Sequence, residues 1–315
     1  MLDSLALARG WVDRAAEHRD DHAWLEAAWG DESSRVLVVH HGRAAAVVDR
    51  EAGGVRGSSA LHYVPPSQAP DDGVRVLLAV VESTAYFGVL LDVAEEAPPE
   101  PPGTTWLGLR EVGASLGDVD ASVMVAAVAL ANWHASHPRC PRCGVATVPS
   151  QAGWSRTCPD DESQHFPRSD PAVIVLVRDA DDRALLGRRV DWPAGFFSTL
   201  AGFVEAGESA EAAVLRELSE EAGVDIDPAA LDYLGSQPWP FPSSLMLGYH
   251  ARLAPGSRVA VPDGVEIEEV RWFTREEMLA ACESGELRIP PAVSIARRLV
   301  EAWYGAELPG EWSRP

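Results

Sequence analysis

The chain has 315 residues, 46 % of them hydrophobic, and a formal net charge of −22. That length accommodates two modest domains and that much apolar side chain buries a sizeable core, which excludes a disordered chain. So acidic a surface argues against broad nucleic-acid or membrane binding, because both partners are anionic, and an anionic substrate would need local cations.

The opening Met1-Leu2-Asp3-Ser4 lacks a basic start followed by a long apolar stretch, so no signal peptide is expected. No run reaches ~18 apolar residues, so neither a membrane span nor a membrane partner is expected. Val12 to Trp29 is rich in Ala and free of Gly and Pro, which predicts a helix. Val36 to Val39, Ala44 to Val48, Val74 to Val81 and Tyr86 to Leu91 read as strands between turn signals. The run Pro98-Pro99-Glu100-Pro101-Pro102 breaks the chain, and Val119 to Ser136 predicts a second helix.

Of the four cysteines, Cys140, Cys143 and Cys158 cluster and Cys282 stands apart. This suits a metal clip in a reducing compartment better than a disulfide framework, and the cytoplasm is the expected location. Cys140-Pro141-Arg142-Cys143 is half of a zinc knuckle, and Asp161 stands where the second half would place its last cysteine. Three thiolates and a carboxylate can hold Zn²⁺, more weakly than four thiolates. His165 is a second candidate for the fourth ligand and Cys282 a remote third.

From Pro167 a new pattern begins. Ala172 to Val177 is a continuous apolar run typical of a buried strand, Asp179 to Asp182 a turn and Ala184 to Leu186 the returning strand. Leu245 to Leu253 and Val265 to Phe273 predict strands; Arg275 to Glu283 and Val293 to Trp303 predict helices. A mixed α/β fold, with a sheet flanked by helices, is the simplest architecture. Between the hairpin and the later strands, Gly202 to Glu208 reads as a loop, Ser209 as an N-cap, Ala210 to Ala222 as a helix and Gly223 as its C′ residue. Val214, Leu218 and Ala222 form its apolar stripe. Glu217, Glu220 and Glu221 stand at i, i+3 and i+4 and share one face. Alone, a Glu-Glu pair is ordinarily a solvated surface. Three crowded carboxylates need more positive charge than Arg216 supplies, and Mg²⁺ or Mn²⁺ meets that need with oxygen ligation.

Gly202, Glu208, Arg216-Glu217-Leu218, Glu220-Glu221 and Gly223-Val224 match the Nudix box at every defined position. The chain therefore resembles the Nudix hydrolases, which implies an α/β/α sandwich and a nucleoside-diphosphate substrate. Beyond the box, Ser236-Gln237-Pro238-Trp239-Pro240-Phe241-Pro242-Ser243-Ser244 combines stiff prolines with two aromatic faces and polar side chains suited to a base. This string resembles the signature of the NADH pyrophosphatase branch, and the resemblance runs from about Arg110 to Val300. It implies hydrolysis of NAD⁺ or NADH to nicotinamide mononucleotide and AMP, and removal of the NAD cap from RNA 5′ ends. Glu217, Glu220, Glu221 and Glu266, with the Ala201 carbonyl, match Mg²⁺/Mn²⁺ ligands. Glu221 also matches the group that activates water, and Arg216 joins the catalytic set. Gln237 to Ser244 match the substrate loop, Phe166, Phe203 and Ala296 positions lining the nucleotide site, and Arg110 a substrate-contacting arginine.

The expected organisation is an N-terminal mixed α/β domain over 1–105, a connecting helix over 106–137, a zinc-ribbon-like segment over 138–166, a Nudix domain over 167–305 and a tail over 306–315. A homodimer is expected from the resemblance. Two other readings stay open: a Nudix hydrolase of another nucleoside diphosphate such as ADP-ribose, and a catalytically silent NAD-binding sensor.

Overall fold

The protein is described by a computed structural model covering residues 2, 5–49, 58–91 and 96–312. The expected tail therefore runs past the described residues at 313–315, and the first domain includes residues outside them. The chain divides into two compact units, one of Arg9–Ser169 with Pro240–Ser243, the other of Met1–Ala8, Asp170–Trp239 and Ser244–Pro315.

The first unit begins with α1 (His22–Trp29) and strands β1 (Arg35–His40), β2 (Arg43–Asp49), β3 (Ser58–Leu61), β4 (Val74–Val81) and β5 (Thr84–Leu90). After the proline break come β6 (Thr105–Gly108), α2 (Leu109–Val112) and α3 (Asp118–Ser136), then three short strands, β7 (Val148–Ser150), β8 (Ser155–Thr157) and β9 (Gln164–His165). The large sheet runs β3-β2-β1-β5-β4, with β6 also on β2, so both sides of the proline break belong to this unit. β7, β8 and β9 form a separate antiparallel sheet. The expected helix over Val12 to Trp29 is corrected: Asp13 bridges Val80, and Ala15 adopts a left-handed φ of 47°. Only a turn at Ala16–His18 precedes α1, whose start is set by Asp21, its carboxylate accepting from the Trp24 N–H at 3.0 Å. A good N-cap outcompetes the propensity of the alanines before it.

The second unit contains β10 (Asp170–Arg178), β11 (Ala184–Arg189), β12 (Leu200–Phe203), α4 (Ala210–Ala222), β13 (Ile226–Trp239), β14 (Ser244–Leu253), β15 (Ile267–Phe273), α5 (Arg275–Ser284) and α6 (Ile295–Tyr304). Its sheet runs β13-β14-β10-β11-β15, with β12 on β10, and only the β10–β14 pairing is parallel. Residues alternate across β10, as strand geometry requires. Val173, Val175 and Val177 pack with Val214 and Leu218 of α4, while Ile174 and Leu176 pack with Met278 of α5 and Leu299 of α6. Two apolar cores, one on each face, make this an α/β/α sandwich. The stretch read as a loop from Gly202 begins instead as the end of β12, where Gly202 and Phe203 pair with Val173 and Ala172.

A buried polar knot joins α3 to the small sheet. His134 Nε2 lies 2.9 Å from the Gly153 carbonyl and Nδ1 lies 2.8 Å from Arg156 Nη1. Arg156 can only donate, so Nδ1 accepts, Nε2 carries the proton, and the ring is neutral. Arg156 also donates to Thr147 Oγ1 and to the Thr147 carbonyl. Burial, with the Arg156 charge beside it, pushes the His134 pKa from 6.5 down to about 4 against the pull of the Gly153 carbonyl. The folded protein thus binds fewer protons here than the unfolded chain. The contribution is fully present above pH 6.5 and is lost as pH falls toward 4, by up to roughly 3 kcal/mol. His134→Gln keeps a donor and an acceptor but cannot titrate, so its melting temperature should fall less than wild type's across this window. Parallel curves would show that His134 does not carry the effect.

Candidate active site

α4 positions the carboxylates. Ser209 caps its N-terminus by accepting from the Ala212 N–H, and Gly223 ends it at a left-handed φ of 65°. Val214, Leu218 and Ala222 bury the inner face, which fixes the roll of the helix and points Glu217, Glu220 and Glu221 along its edge. Glu221 is only 5 % exposed. Its Oε2 has no hydrogen-bond partner among the described residues. Burial first, then the negative charges of Glu217 and Glu266, raise its pKa from 4.5 to about 8 despite a bond from the Ala201 backbone. Glu217 is likewise raised by burial, with Arg216 pulling the other way.

Arg216 is the cation around which the box closes. Its Nε and Nη2 donate to the two oxygens of Glu208, each at 2.8 Å, a bidentate pair of the strong kind. Nη1 donates to Glu217 at 2.8 Å and to Glu220 at 3.0 Å, and Nη2 also reaches the Phe203 carbonyl. Glu208 is held down to about 2 by Arg216 and the Glu205 N–H. Arg216 is thereby spent on holding the loop and helix together. Gly202 matters for space: a Cβ there would lie 1.9 Å from the Glu217 carboxyl carbon.

Glu266 faces the same cluster, since its charge acts on both Glu217 and Glu221, and Arg189 Nη1 stands 3.6 Å from it. Its loop is set by Asp263, a residue that motif reading missed. The Asp263 carboxylate accepts from the N–H groups of Val265, Glu266 and Ile267, and the Asp263 N–H donates to the Glu221 carbonyl. The signal in the sequence is Asp263-Gly264, a turn dipeptide.

The oxygen-rich set fits hard divalent ions, and the unpartnered buried oxygen of Glu221 is the strongest sign of it. The box carboxylates are looser than the thiols: among the described residues, the potential ligands that all lie within 4.8 Å are the sulfurs of Cys140, Cys143 and Cys158. Cys143 and Cys158 are 3.5 Å apart. Burial opposes ionisation of Cys140, but bonds from the Cys143 and Arg142 N–H groups and Ser163 lower its pKa, while burial raises that of Cys158, so one thiol of the cluster is favoured as the thiolate over the other. The Asp161 carboxylate accepts from both the N–H and the hydroxyl of Ser163, and His165 Nε2 contacts the same hydroxyl at 3.1 Å. Cys282 is buried in the α5–α6 core of the other unit and is a packing thiol.

Two expected substrate residues have buried side chains. Gln237 is 0 % exposed, its amide oxygen accepting from the Leu7 N–H at 3.3 Å and its nitrogen donating to the Val293 carbonyl at 3.0 Å. The side chain thus braces its own unit. Ala296 is 2 % exposed, packed in the α5–α6 core. By contrast Phe203 and Phe166 are exposed, at 57 % and 60 %. Pro238 and Trp239 pair with Leu245 and Ser244, forming the base of a hairpin. Its tip, Pro240–Ser243, belongs to the first unit, where Arg110 lies 4.3 Å over the Phe241 ring.

An α/β/α sandwich carrying this box is a Nudix domain. Family models agree: residues 168–293 match the NUDIX domain, 135–166 the NADH pyrophosphatase zinc ribbon domain and 33–133 the NADH pyrophosphatase-like rudimentary NUDIX domain. The chain is 38 % identical over 321 residues to "NAD-capped RNA hydrolase NudC" of Mycobacterium bovis (strain BCG / Pasteur 1173P2), covering 96 % of this chain and 95 % of that one. It is 39 % identical over 213 residues to the protein of the same name from Stutzerimonas stutzeri (strain A1501), covering 68 % and 72 %. It is 37 % identical over 213 residues to "NAD(P)H pyrophosphatase NUDT13, mitochondrial" of Mus musculus, covering 64 % and 60 %. The chain belongs to the NudC family of Nudix hydrolases. Among the described residues no helix is long and apolar enough to cross a membrane.

Because Asp263 orients Glu266 and touches the Glu221 backbone, Asp263→Ala should weaken Mn²⁺ binding by roughly tenfold, as removal of a group that orients metal ligands does. Calorimetric titration of Mn²⁺ checks this; unchanged affinity would remove Asp263 from the site.

Proposed function

We propose that the chain hydrolyses the diphosphate of NAD⁺ and NADH to nicotinamide mononucleotide and AMP, and removes the NAD cap from RNA 5′ ends. The observation that carries the reading is Glu221, a buried carboxylate with one unpartnered oxygen beside Glu217 and Glu266. Similarity to proteins named for NAD-capped RNA and NAD(P)H across most of the chain selects the substrate.

Glu217, Glu220, Glu221 and Glu266, with the Ala201 carbonyl, would hold Mg²⁺ or Mn²⁺. Such ions, when bound, neutralise the diphosphate and lower the pKa of water. Arg216 keeps the loop before α4 closed on the helix. Glu221 takes a proton from water. The water oxygen bonds to one phosphorus, the P–O bond to the bridging oxygen breaks, and the second nucleotide leaves with the proton balance of a hydrolysis. Beside a bound cation the Glu221 carboxylate would be held ionised, the state in which it can accept that proton. Phe203, Phe166, Arg110 and the hairpin residues Trp239 to Ser244 serve substrate recognition in this reading. It also includes a homodimer in the cytoplasm and Zn²⁺ at Cys140, Cys143 and Cys158 with Asp161.

Incubation with NAD⁺ and Mn²⁺ should yield nicotinamide mononucleotide and AMP in equal amounts, and NAD-capped RNA should lose its cap. ADP-ribose as the preferred substrate, or binding without turnover, would point to the other readings. Glu221→Gln should lower kcat by about 10²-fold or more; near-normal turnover at saturating metal would sink the assignment. Asp161→Cys should tighten zinc binding, read by chelator competition, since it supplies a fourth thiolate. No zinc in either protein would refute the ribbon site.

A further inference from the structure

Pro240-Phe241-Pro242 has a single amide N–H, so the hairpin tip has few backbone donors of its own. Within the first unit, α3 supplies the donor. Asn132 Nδ2 donates to the Pro240 carbonyl at 2.8 Å and to the Pro242 carbonyl at 3.3 Å. A primary amide nitrogen carries two hydrogens, and here one is aimed at each carbonyl. The two bonded residues bracket Phe241, whose ring lies under the Arg110 guanidinium at 4.3 Å. Asn is a poorer helix former than Ala, yet it sits inside α3 within the run Ala129-Leu130-Ala131-Asn132-Trp133. The two bonds its amide makes are set against that local disadvantage.

We propose that Asn132 is a positioning residue for substrate binding. By pinning the carbonyls on either side of Phe241 it sets the aromatic tip in the shape that meets a flat base, before any substrate arrives. The inference rests on the reading that the Trp239–Ser244 hairpin recognises the dinucleotide. A preset loop has less freedom to lose on binding, so its loss is felt in affinity. Turnover, which depends on the box carboxylates, is not set by this contact. A merely structural bond would lower both together or change stability alone.

The test measures kcat and KM for NAD⁺ at saturating Mn²⁺, with melting temperatures recorded alongside. Asn132→Asp keeps the shape but turns an oxygen toward two carbonyl oxygens; Asn132→Ala removes the donor without repulsion and serves if the Asp variant does not fold. Each should raise KM by ~5–10-fold with kcat within about twofold of wild type. Asn132→Gln, which retains the donor on a longer arm, should recover part of the loss. Phe241→Ala is the control for the underlying reading. If Phe241→Ala raises KM but Asn132→Asp and Asn132→Ala do not, the clamp is wrong and the hairpin still binds substrate. If Phe241→Ala also leaves KM unchanged, the hairpin reading falls and the clamp falls with it. A loss confined to kcat would equally overturn the positioning role.

Discussion

Like charges held close together are the constraint on which the catalytic unit is built. Glu208, Glu217, Glu220, Glu221 and Glu266 converge on one end of α4, and repulsion would drive them apart. Arg216 answers part of this by bonding three of them at once. It leaves Glu221 and Glu266 beyond its reach, and Glu221 buried. A buried carboxylate in that position is either protonated or beside a cation, because an isolated charge is costly in a low-dielectric interior. The box thus creates a demand for positive charge at the place where a diphosphate must also be neutralised.

The surroundings convert that demand into a defined geometry. β10, with apolar residues on both sides, lets α4 press on one face of the sheet and α5 and α6 on the other. β12 brings the Ala201 backbone to Glu221, and Asp263 fastens the Glu266 loop to the end of α4. In the other unit α3 has a comparable part. Its Asn132 serves the hairpin tip and its His134 serves the strands next to the cysteine cluster, so both polar attachments rise from one apolar helix.

The catalytic helix was legible because its signals agree: a serine cap, an apolar stripe and a glycine at the end, all local in sequence. The strands with continuous apolar runs were legible for the same reason. β13 was not, because Asp227-Pro228 and Gly235 interrupt its pattern and its pairing is irregular there. The helix over Val12 to Trp29 failed because propensity was read without the competing Asp13 turn and Asp21 cap. Among site residues, the glutamates could be read from spacing. The burial of Gln237 and Ala296 could not, since it depends on Leu7, Val293 and the α5–α6 core, contacts distant in sequence. Asp263 acts through backbone bonds, which leave no motif beyond a turn dipeptide.

The contact between Gly202 and Glu217 has a consequence for how such a site can change over time. The glycine yields the volume that the carboxylate fills, with no room for even a methyl group. A side chain at 202 therefore requires the Glu217 carboxylate to move out of its place beside the box. How readily that carboxylate gives way is set by the Arg216 bond that holds it, so the room at 202 is governed from the helix opposite.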